Sequence, residues 1–314
     1  MIKVRAFWFW FLFPFLGIGQ SSDGHIGLPF EKDLFPEGIA IDTLTKQVYL
    51  NSLSLNKIVR CNLDGSQAED FIDSNEHGYL SGFGMTIKGD TLYALGNVLP
   101  KTNNTSILLL MGLSSKQMIA KYTIANEQFI YLNDLAVDSK GTVYITDSES
   151  SDIYTINQNT NELEVFFSDE AINHSNGITI SPDGKLLYLA SYTSGLRILD
   201  IASKKLVNQP NDHKGIDGLK FHKNNLFAIV NARRDLAQNG IFQFGLNAKC
   251  TEVVSVKKLT DFENVTDIPT TFAIYNSTMH FVADSQLDNF DGDNGKVIHP
   301  EELEDYRLVQ LKIP

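Results

Sequence analysis

The chain has 314 residues, 43% of them hydrophobic and 20% charged, which is enough apolar material for a sizeable core and too much for a disordered segment. Its 26 lysines and arginines stand against 38 aspartates and glutamates, a net charge of −12 with no basic run, which argues against a grip on nucleic-acid phosphates. The two cysteines, Cys61 and Cys250, are too few for a disulfide scaffold and have no CxxC spacing, so they form one bridge or none.

Lys3 and Arg5 open the chain. An apolar run from Ala6 to Leu16 follows, then small residues at Gly17 and Gly19, with no acidic residue before Asp23. This is the pattern of a secretory signal cleaved before Gln20. The 14 residues from Ala6 to Gly19 fall short of the about 20 needed to cross a bilayer. Residues 1–19 are expected to be removed, leaving residues 20–314 as a secreted or periplasmic protein that no longer touches a membrane.

A repeat fills the rest. Six segments begin at Glu37, Phe83, Asn133, Asn176, Asp217 and Thr271, 41 to 54 residues apart. Each runs through an alternating apolar stretch, a turn rich in Gly, Asp, Asn or Pro (Ser181-Pro-Asp-Gly184 is one), and a second apolar stretch. The alternation, as at Ile39 and Ile41, Leu135 and Val137, Ile178 and Ile180, has the period of a strand. A third strand is predicted from Lys57, Asp152, Gly195 and Gly240. Units of this length with several short strands predict an all-β, six-bladed propeller in one domain. His25-Ile-Gly-Leu-Pro-Phe30 and Tyr306-Arg-Leu-Val-Gln-Leu-Lys-Ile313, from the two ends of the chain, are predicted to complete the last blade together. The stretches Gly96 to Ser115 and Arg233 to Asn239 read as loops, where substrate selection would lie.

In a propeller the starts of the innermost strands converge on one mouth of a central channel. Glu37, Asn133, Asn176 and Asp217 would therefore meet there, two carboxylates and two carboxamides in one small space. Carboxylates brought together repel, and burying them unpaired is costly. A divalent cation removes both problems, and hard oxygen ligands without His or Cys suit Ca²⁺ first. Taken singly, each Asn-Gly or Asp-Gly pair also reads as ordinary turn chemistry.

Pro36-Glu-Gly38, Leu132-Asn-Asp-Leu-Ala-Val-Asp138, Ser175-Asn-Gly-Ile-Thr-Ile-Ser-Pro-Asp-Gly184 and Ile216-Asp-Gly-Leu219, in this order, resemble the gluconolactonase and regucalcin (senescence marker protein) family, with kinship to paraoxonases and diisopropyl fluorophosphatase. The resemblance spans about Pro36 to Asp284. It implies a divalent cation, usually Ca²⁺, held by Glu37, Asn176 and Asp217, with Asn133 beside the metal or on the substrate. It further implies hydrolysis of lactones, esters or organophosphates, the cation polarising the substrate carbonyl and Asp217 acting as base or nucleophile. One departure bears on substrate. The family's arginine shortly before the Asn-Asp pair is replaced here by uncharged Ile130-Tyr-Leu132, which favours a more apolar lactone or ester over a polyhydroxylated sugar lactone.

Other features weigh less. His174 and His213 lie close before Asn176 and Asp217 and are candidates to reach the mouth. Asp288-Asn-Phe-Asp-Gly-Asp-Asn-Gly295 looks like a calcium loop but fails the EF-hand register and reads as a solvated turn. Two functions are carried forward: an exported Ca²⁺-dependent hydrolase of small lactones or esters, and a non-catalytic binding propeller in which the cation is structural.

Overall fold

The computed structural model describes residues 24–100, 104–125, 129–231 and 235–314. The expected signal over residues 1–19 lies outside the described residues, and no helix among the latter is long and apolar enough to cross a membrane.

Six four-stranded antiparallel sheets follow one another along the chain. Blade 1 comprises Ile39–Asp42, Gln47–Asn51, Ile58–Asn62 and Glu69–Ile72; blade 2, Ser81–Lys88, Thr91–Asn97, Thr105–Gly112 and Met118–Ala125. Blade 3 comprises Leu132–Val137, Val143–Asp147, Asp152–Asn157 and Glu162–Ser168; blade 4, Ser175–Ile180, Leu186–Ser191, Gly195–Asp200 and Lys205–Leu206. Blade 5 comprises Ile216–His222, Asn225–Val230, Gly240–Leu246 and Val253–Thr260. Blade 6 joins Ala273–Tyr275 and Thr278–Val282 to Arg307–Lys312, with His25–Gly27 as its outermost strand. The two ends of the chain therefore close the ring, as expected, and the fold is a six-bladed propeller.

Burial follows from this arrangement. A blade is covered on both faces by its neighbours, so its inner strands are apolar runs, as in Leu186–Ser191, where every residue is buried. The outermost strands face solvent on one side and alternate, as in Met118–Ala125. Thr105–Gly112 corrects the expectation of a loop from Gly96 to Ser115: Ile107, Leu108, Leu109, Leu110 and Met111 are buried between blades 1 and 3 as the third strand of blade 2. Its continuous apolar run hides the strand period. The ring is sealed from blade 6 to blade 1 by Thr270 Oγ1 donating to the Glu37 carbonyl at 2.8 Å.

Cys61 and Cys250 are both free thiols, Cys61 buried in the core of blade 1 and Cys250 partly buried in a turn beside the core of blade 5, and burial pushes the Cys61 thiol pKa up to about 12.

Candidate metal centre

The first strands of blades 2 to 5 share one irregularity. Each carries a β-bulge at its start, where three residues span what two span on the partner strand: Gly82 to Met85, Leu132 to Leu135, Ser175 to Ile178 and Ile216 to Leu219. The bulges fall on Phe83-Gly84, Asn133-Asp134, Asn176-Gly177 and Asp217-Gly218, and a bulge re-aims the side chains it carries. The Asn-Gly and Asp-Gly pairs are thus not turns. Their glycines lack positive φ and are demanded by close approach instead. A Cβ on Gly218 would lie 2.8 Å from Thr271 Cα, and one on Gly177 would overlap the Asp217 carbonyl. Glycine lets each inner strand lie directly against the next and draws the ring tight.

Inside the ring is a small axial cavity lined by Glu37, Gly84, Asn133, Asp134, Asn176, Asp217 and Thr271. All four residues nominated from sequence meet there. Phe83 does not line it; this ring turns into the core and packs edge-on against Tyr131 at 4.6 Å.

Hydrogen bonds fix the oxygen set. Asp217 accepts from two carboxamides, Asn176 Nδ2 at 2.8 Å on Oδ1 and Asn231 Nδ2 at 3.0 Å on Oδ2. Asn231 also donates to the Pro269 carbonyl at 2.6 Å, which ties blade 5 to blade 6. Because the Asn176 amide nitrogen is spent on Asp217, its Oδ1 is left as the ligand atom. Thr146 Oγ1 donates to the Asn176 carbonyl at 2.7 Å and accepts from the Asp134 amide at 3.1 Å, bracing two bulges at once. Glu37 is steadied through its neighbour: the Gly38 amide donates to Asn51 Oδ1 at 2.7 Å, while Asn51 Nδ2 donates to the Phe83 carbonyl.

Asp134 and Asn231 belong to the site and were not nominated from sequence. Asp134 is 4% exposed; it accepts from the Leu135 amide at 2.8 Å, the Ile178 amide at 3.3 Å and Lys220 Nζ at 3.1 Å. It stood in plain view in Leu132-Asn-Asp-Leu135, but its partner lies 86 residues away.

The donor set fits a hard cation. It is all oxygen, and Thr271 Oγ1, which lines the cavity, is buried with no hydrogen-bond partner among the described residues. A buried hydroxyl left so costs about 1–3 kcal/mol unless something else satisfies it. The cavity is small, about 10 Å³, the room one water or one ion needs.

Phe35, Phe83, Tyr131 and Phe290 form an aromatic cluster in the core of blades 2 and 3. Burial, with Glu37, Glu149 and Asp293 nearby, pushes the Tyr131 phenol pKa far up, so this hydroxyl stays protonated. Phe290, from the blade 6 segment between Val282 and Arg307, packs with its ring tilted 31° and centroid 5.2 Å from that of Phe35, and the same segment brings Gly295 against Pro100 of blade 2. The turn at 288–295 is a small hairpin whose Asp291 carboxylate accepts from the Asp293 and Asn294 amides and from Asn294 Nδ2, so it serves as a turn.

The histidines stay away. His174 is exposed with Nδ1 2.7 Å from the Ser148 carbonyl, and His213 packs on Phe244 at 5.1 Å beside a depression between blades 4 and 5. Neither lines the axial cavity.

Residues 35–220, more than half the chain, match the SMP-30/gluconolactonase/LRE-like region. Among solved structures the chain is similar to a gluconolactonase from Xanthomonas campestris described as important in glucose secondary metabolic pathways: 13% identity over 88% of this chain and 86% of that one, TM-score 0.58. It is similar also to virginiamycin B lyase from Staphylococcus aureus, crystallised as an inactive variant with quinupristin (13% identity, 91% and 98% covered, TM-score 0.57). A third is the PQQ-bound aldose sugar dehydrogenase from Streptomyces coelicolor (10% identity, 91% and 96% covered, TM-score 0.60). At these identities the likeness is one of fold. No curated protein matches the sequence.

Proposed function

The chain belongs to the SMP-30/gluconolactonase/LRE-like family, and from that premise we propose that it is an exported hydrolase of small lactones or esters that works with a bound divalent cation, Ca²⁺ first. The observation that carries the reading is the convergence of Glu37, Asn133, Asn176, Asp217 and Thr271, from five blades, on one ion-sized cavity. Glu37, Asn176 and Asp217, with Asn133 beside them, would hold the ion. The cation supplies Lewis acidity toward a carbonyl oxygen when bound.

The chain's own groups do the rest. Asp217, held by Asn176 and Asn231, keeps a fixed carboxylate orientation, whether it takes a proton from water or attacks the carbonyl carbon itself. Asn133 offers an amide N–H to steady the substrate oxygen. Ile130-Tyr-Leu132, just before Asn133, carries no charge with which to grip sugar hydroxyls, so apolar lactones and aryl esters are favoured over sugar lactones. The basic and apolar start of the chain supports export.

A panel of sugar lactones, alkyl lactones and aryl esters tests this. Turnover highest on the apolar members is expected; turnover confined to sugar lactones would overturn the substrate assignment.

One observation favours a second reading. The cavity is ion-sized, not substrate-sized, which suits a binding propeller plugged by a structural cation. Cation binding without turnover of any panel member would select it.

A further inference from the structure

Between blades 5 and 6 lies a cavity of about 210 Å³ that shares no residue with the axial one. Its apolar side is built from Phe262, Phe281, Val309 and Leu311. Three carboxyl groups, Asp261, Glu263 and Asp267, complete much of the lining together with His25. Two of the three are already answered. Asp261 pairs with Lys258, and Glu263 accepts from Arg307 Nη1 at 3.0 Å with His25 Nδ1 at 3.5 Å.

Asp267 differs from both. It is 7% exposed, whereas the Asp261 and Glu263 side chains are more than half exposed. Its Oδ2 accepts from the Asn264 amide at 3.1 Å. Among the described residues its Oδ1 accepts no hydrogen bond, and no cationic side chain forms an ion pair with either oxygen. Burial pushes its pKa up; the Asn264 amide and Arg307 oppose the rise, while Asp284 and Glu263 add to it. A carboxylate so placed gains from any cation that can reach it.

We propose that this cavity binds a small organic monocation, a primary ammonium on an unbranched alkyl body, with the ammonium on Asp267 and the body on the apolar side. The two halves of the lining choose this class together. A bare metal ion would face hydrocarbon on the side where it needs oxygen ligands. An apolar anion would meet three carboxyl groups. An alkylammonium brings three donors to the carboxylate and covers Phe281 and Val309 with its chain.

Calorimetry on the whole chain with n-butyl-, n-pentyl- and n-hexylammonium tests this. Each added methylene should tighten Kd by about fourfold, the effect of burying one CH₂. Hexan-1-ol, with the same body and no charge, should bind at least about tenfold more weakly than n-hexylammonium. Asp267→Asn should weaken n-hexylammonium by about tenfold or more, and Asp217→Asn should leave it at the wild-type Kd. These results together support the proposal. Should Asp267→Asn fail to fold, Ala283→Leu decides: it adds bulk to the lining without touching the carboxylate, and n-hexylammonium should then weaken more than n-butylammonium. Binding that is lost in Asp217→Asn and kept in Asp267→Asn places the amine in the axial cavity and overturns the proposal. So does hexan-1-ol binding as tightly as the amine, an Ala283→Leu protein with unchanged chain-length dependence, or no binding of n-hexylammonium at about 10 mM.

Discussion

Replacing Gly177 by alanine tests the packing that builds the site. An alanine Cβ there would overlap the Asp217 carbonyl oxygen and sit 3.0 Å from both the Leu219 amide nitrogen and Cβ, all on the first strand of the next blade. The clash is with backbone, so no rotamer relieves it. The inner strands of blades 4 and 5 must part by up to about 1 Å, at a cost of about 1–3 kcal/mol for overpacking a filled interior. The same movement carries Asp217 away from Asn176, which now holds it at 2.8 Å. A displacement of about 1 Å in a reacting group costs roughly 100-fold in rate. Urea denaturation and turnover of the best substrate should therefore fall together in Gly177→Ala. Gly27→Ala is the control: a Cβ there meets nothing within 4 Å and the backbone φ is ordinary, so both readouts should stay near wild type. A Gly177→Ala protein with unchanged stability and full activity would refute the claim that close approach of the inner strands positions Asp217.

Further outcomes are expected. Asp217→Asn should lower turnover by about 1,000-fold or more while the thermal unfolding midpoint stays close to wild type, since the amide can keep one of its two carboxamide neighbours. Glu37→Gln should weaken Ca²⁺ binding in calorimetry by at least about tenfold, through loss of one anionic ligand. His280, 3% exposed and without a hydrogen bond on either ring nitrogen among the described residues, has its pKa pushed down by burial from 6.5 to about 4. The unfolded chain therefore takes up this proton first, and stability is lost as pH falls from 6.5 to 4, by up to about 3 kcal/mol. His280→Leu should flatten that part of the stability–pH curve, and an unchanged slope would remove His280 as its source.

Much of the architecture is legible because it rests on local patterns. Alternation at Ile178 and Ile180 marks an inner strand, and the starting positions from Glu37 to Thr271 mark blades. The chain ends pair as their apolar content predicts, His25 opposite Val309. What escapes the sequence depends on contacts between blades. The uninterrupted apolar run in Thr105–Gly112 has no period because both of its faces are covered. Asn176-Gly177 has the composition of a turn and the geometry of a bulge; the available signal is that a glycine inside a strand pattern marks a bulge or a close approach. Of the site, Glu37, Asn133, Asn176 and Asp217 share one repeat position and could be found together. Asn231 ends its second strand as Asn51 and Asn97 end theirs, each donating to a carbonyl of the next blade, so this signal was available; Lys220 holds no such repeated position, and only the closed ring shows that it meets Asp134.

The central claim, that the axial oxygen cavity runs a cation-dependent hydrolysis, is tested most directly by following turnover of an apolar lactone before chelation, after chelation and after Ca²⁺ is added back. Activity that disappears with chelator and returns with Ca²⁺, but does not return in Asp217→Asn, is the predicted result. Full turnover in chelator by a protein shown to be free of metal would contradict it.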